Sequence, residues 1–86
     1  MDDETPVIDA RRVRESIELL RLNLNEDDIA GFLQILQSIA DSPAVPGNIE
    51  KLSRSLNEVN IMQGAILTYA PYVGYLLSEN LVGVPT

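Results

Sequence analysis

The chain has 86 residues, 6 basic and 13 acidic, for a net charge of −7, and contains no His, Cys or Trp. That length makes one small domain, and the missing residue types remove disulfides and the usual zinc and iron sites as sources of stability. They also remove most nucleophile–base pairs, so no enzyme activity, cofactor or metal is expected.

Residues 1–8 read as an acidic arm that opens Met1-Asp2-Asp3-Glu4. A secretory signal needs a basic start and an apolar run, so the expected location is cytoplasmic. A helix is predicted to begin at Pro6 or behind Asp9 as N-cap. Ala10, Val13, Ile17, Leu20 and Leu24 then recur at steps of three and four, and Leu19 and Leu22 widen that stripe. Arg14–Glu18 and Glu18–Arg21 have the spacing of ion pairs along one helix.

Asn25 is a good cap for a second helix, whose first turn carries Glu26, Asp27 and Asp28. Its inner face is Ile29, Phe32, Leu33, Leu36, Ile39 and Ala40, and Gly31 allows close approach of a neighbour. The very short link predicts an antiparallel hairpin of these first two helices. Asp41 to Asn48 holds two prolines and a glycine and reads as a loop, with Asn48 capping a third helix lined by Ile49, Leu52, Leu56 and Val59. Between 48 and 70 the pattern fits one helix or two, because Asn57 and Asn60 disfavour a helix interior. Pro71 must kink or end what precedes it and is well placed to start a further short helix reaching Asn80. Residues 81–86 read as an extended tail.

The fold class expected is all-α: a small bundle of three to four helices, built as an N-terminal hairpin, a Pro-rich loop and an apolar C-terminal helix kinked at Pro71. Residues 9–80 form its single domain.

Function is most visible in Val59 to Ser78, twenty consecutive residues without a charge that hold three of the four aromatics. Enclosing so neutral a segment with two or three partly charged helices is difficult, so a second copy is expected to complete the bundle. The expected contact group is Ile66, Tyr69, Tyr72, Val73, Tyr75 and Leu76, since tyrosines and aliphatics in a desolvated patch anchor interfaces. The function this implies is a non-enzymatic protein–protein interaction module: a small acidic adaptor, regulator or assembly subunit that binds itself or another protein.

Two other readings compete. Residues 59–78 have the length of a membrane span, although Asn60, Gln63, Pro71 and three tyrosines dilute it. A DNA-binding regulator needs a short turn and a basic reading helix. Here the loop is long, and only Lys51 and Arg54 face phosphates on an acidic chain, so no nucleic-acid partner is expected. A DNA mimic needs a spread track of carboxylates, and arginines interrupt it between 11 and 21. The acidic runs 2–4 and 26–28 lack the spacing of a calcium loop.

Overall fold

The computed structural model describes residues 8–80, and it is all-helical over them. Five α-helices are present among the described residues: α1 (Ala10–Asn23), α2 (Ala30–Asp41), α3 (Asn48–Glu58), α4 (Gln63–Tyr69) and α5 (Pro71–Asn80). Short 3-10 turns at Glu26–Ile29 and Asn60–Met62 lead into α2 and α4. The 1–7 part of the acidic arm and the 81–86 tail lie outside the described residues.

Capping chemistry sets the first two starts. The Asp9 carboxylate accepts the Arg11 backbone N–H at 3.0 Å, and Asn25 Oδ1 accepts that of Asp27 at 2.9 Å. Both pair N–H groups that a helix start leaves without partners. Arg14 lies 3.7 Å from Asp41 and Arg21 lies 3.6 Å from Glu26. The start of α1 therefore faces the end of α2, which makes the pair an antiparallel hairpin. The predicted pairs within α1 are displaced by these two, which link separate elements. Arg14 also donates to the Ala40 carbonyl at 3.4 Å, where a cation meets the negative end of the α2 dipole. All four partners are largely exposed, so each ion pair contributes under about 1 kcal/mol.

Asn48 departs from its expected role. It is the first residue of α3 and is buried, and its side-chain amide donates to the Ser42 carbonyl at 2.9 Å. The cap position belongs to Gly47 at φ 90, a conformation that costs a glycine little. Asn48 thus closes the loop from within rather than capping the helix.

The choice between one helix and two over 48–70 resolves as two. Asn60 adopts φ 44, and the α-helical path stops at Glu58. Asn is one of the few residues that tolerates this left-handed region. A second break falls at Ala70, before Pro71 opens α5 at its first position. The neutral stretch is therefore cut into a turn and two short helices, and among the described residues no helix is long and apolar enough to cross a membrane.

These cuts let each piece turn its aliphatic side inward. Ile66, Ala70, Val73 and Leu76 join Val13, Ile17, Leu20, Ile29, Phe32, Leu36, Ile39 and Leu52 in one core. All five helices contribute to it or pack against it, and its largest side chains, Phe32 and Leu20 among them, are fully buried by this one chain. The expected completion by a second copy is not needed to close this core. Ile8, assigned to the arm, belongs to the core as well. Leu19 and Leu22, assigned to the inner stripe of α1, are 42% and 78% exposed, because the Val13–Ile17–Leu20 line fills that side. Gly31 does not receive a close neighbour, since a Cβ there would meet nothing within 4 Å.

The two leucines make a direct test. Leu20→Ala should lower unfolding free energy by about 2–5 kcal/mol, as for other buried leucines. Leu22→Ala should change it by under about 0.5 kcal/mol. Urea titration followed by circular dichroism measures both.

Candidate interaction surface

The six residues expected to contact a partner divide by depth. Ile66, Val73 and Leu76 are essentially inaccessible in the core, so they hold the fold together and offer no surface. The reason is periodicity: they continue one inward line across the Ala70 break, at steps of seven and three residues. Tyr69, Tyr72 and Tyr75 step by three and look outward, with Tyr69 40% and Tyr75 56% exposed and Tyr72 half-buried.

Tyr72 is fixed from several directions. Its phenolic oxygen accepts the backbone N–H of Asp9 at 2.9 Å, which ties α5 to the start of α1. The Arg12 guanidinium carbon stands 5.5 Å from its ring centroid, within the range of a cation–π contact. Its ring also stacks on Tyr75 at 5.8 Å between centroids and 16° between planes. A half-buried aromatic held in this way presents the more exposed Tyr75 ring in a defined position.

Tyr72 and Tyr75 form one wall of a groove of about 320 Å³ between α1 and α5. Pro71 continues that wall, and Arg12, Glu15, Ser16 and Leu19 form the opposite one. The Ser16 hydroxyl is already satisfied, donating to the Arg12 carbonyl at 3.0 Å. The floor is thus apolar or internally paired, while Arg12 and Glu15 place one charge of each sign on the rim. Leu22, one turn beyond Leu19 on α1, extends the exposed aliphatic line past the groove.

Sequence reasoning missed Leu19, Leu22 and Arg12 as parts of this surface. A usable signal existed: Leu19 and Leu22 stand three residues apart, offset from the Val13–Ile17–Leu20 line, so α1 carries a second, short apolar strip.

Among the described residues no group of three or more carboxylates is gathered to hold a metal ion. No protein-family model, no curated protein and no solved structure matches the chain.

The anchoring of Tyr72 is testable by itself. Tyr72→Phe keeps the ring and removes the oxygen that accepts from Asp9, and should cost about 0.5–1.5 kcal/mol of stability. Urea denaturation reads the loss, and an unchanged midpoint would show that the contact contributes nothing.

Proposed function

We propose that the chain is a non-enzymatic protein–protein interaction module, an acidic adaptor, regulator or assembly subunit, that pairs with a second copy of itself through the α1–α5 face. One observation carries this reading: Tyr75 of α5 and Leu19 of α1 stand exposed on the two walls of one apolar groove, with Leu22 exposed one turn further along α1. Contiguous apolar surface of this kind on a small soluble domain marks a contact site. The carboxylates and the net charge of −7 argue against phosphate backbones and anionic lipid as the occupant.

A second copy suits the face because the rim is self-complementary. In a twofold contact, each patch meets its own image. Arg12 of one chain can approach Glu15 of the other while the leucine and tyrosine side chains meet in the centre. An unequal rim of one sign would repel its own image. The dimer in this reading is a surface contact between two closed cores rather than a shared core.

Tyr75 is the residue to change, because Tyr72 also supports the fold. Sedimentation equilibrium should give a dimer for the unmodified chain at high micromolar concentration. Tyr75→Asp should weaken dimerisation by about two orders of magnitude, the cost of losing an anchor residue, with an unchanged helical spectrum. A single-chain mass for the unmodified protein at that concentration would contradict the reading.

A further inference from the structure

A second groove, of about 410 Å³, lies between α2 and α3. Its apolar surface comes from the partly buried Ile35 and Val59, which rest on the core beside Phe32. Lys51 and Arg54, one turn apart on α3, stand along it, and Glu58 lies a turn beyond Arg54. Gly31 leaves the α2 side open, since a Cβ there would meet nothing within 4 Å.

Two further features point to an occupant. Neither Lys51 nor Arg54 has an ion-pair partner among the described residues, although the chain carries twice as many acids as bases. Arg14 and Arg21 are paired and Arg12 stands over the Tyr72 ring, whereas Arg11, Lys51 and Arg54 have no ion pair among the described residues; of these, Lys51 and Arg54 stand together on one groove. Ser55 lines the same groove and is only 7% exposed, yet its hydroxyl has no hydrogen-bond partner among the described residues. The other buried serine, Ser16, satisfies its hydroxyl on the carbonyl four residues back. A buried polar group without a partner is rare and costly, and an acceptor entering the groove would satisfy it.

We propose that the α2–α3 groove is a second docking site, which takes an acidic amphipathic segment of a partner protein. Apolar side chains of the segment meet Ile35 and Val59, and its carboxylates meet Lys51, Arg54 and the Ser55 hydroxyl. Two isolated cations are too few to hold a polyanion backbone against the charge of the chain. The apolar surface between them favours a peptide over a bare anion. Glu58 gives the groove a direction, with the acidic part of the segment toward Lys51.

Amide shift mapping of the 15N-labelled full-length chain tests this. The probe is a peptide of roughly twelve residues with Leu and Glu at amphipathic helical spacing. It should move the amides of Gly31, Lys51 and Ser55, and raised salt should weaken it. Lys51→Glu with Arg54→Glu should weaken it about tenfold or more. Gly31→Leu, which fills open space without touching a charge, should block it. Tyr75→Asp should leave it intact, which separates this site from the dimer face. The proposal is overturned if the peptide with Lys in place of each Glu binds equally, if inorganic phosphate alone moves the same amides, or if no shift appears at those positions. It also fails if neutralising Asp2, Asp3 and Glu4 moves them without peptide, because the chain's own first residues would then be the occupant.

Discussion

Two interruptions of the helical path, at Asn60 and before Pro71, determine how a twenty-residue uncharged stretch meets water. A continuous helix of that length would show neutral surface on every side. Cut into a turn and two short helices, it turns Ile66, Ala70, Val73 and Leu76 into the core and leaves Tyr69 and Tyr75 exposed, with Tyr72 half-buried between. The cuts depend on backbone chemistry: Asn accepts a left-handed conformation, and Pro lacks the N–H that would continue the previous helix. Everything on the outer face of α5 follows from them. Tyr72 is held against the start of α1, Tyr75 stacks on Tyr72, and α1 supplies the facing wall.

Much of this was legible in the residues. Asp9 and Asn25 as caps, a proline-bounded loop within Asp41 to Asn48 and the helix from Pro71 to Asn80 each rest on local rules, and local rules suffice there. Three features needed the folded chain. Asn48 was read as a cap because its residue type fits, but burial beneath the loop gave its amide a different acceptor. Arg14 and Arg21 were read as pairing along α1, but the hairpin brought Asp41 and Glu26 within reach of them. Depth on α4 and α5 was misjudged for a related reason. Apolar character marked Ile66, Val73 and Leu76 as contact residues, and their alignment across a helix break, which places them inside, is a tertiary property.

The same lesson applies to α1. Counting leucines suggested a broad inner stripe, yet a helix in a small domain buries only one narrow line against so few neighbours. Leu19 and Leu22 are left over, and Leu19 lines the same groove as the exposed Tyr75. This coincidence of two unburied apolar strips on neighbouring helices is the basis for a contact surface. The α2–α3 groove is of a different kind, with two cations and a buried hydroxyl that have no partner among the described residues, over a small apolar surface. In these two proposals, one face joins like to like and the other receives an acidic segment on its two cations, Lys51 and Arg54.

The most direct measurement for the central proposal is an isotope-filtered nuclear Overhauser experiment on a mixture of labelled and unlabelled full-length chain. Cross-peaks between Tyr75 ring protons of one chain and Leu19 methyl protons of another are expected, growing with concentration. A concentrated sample that shows no intermolecular cross-peak at Tyr75, or shows them only at residues away from α1 and α5, contradicts the account.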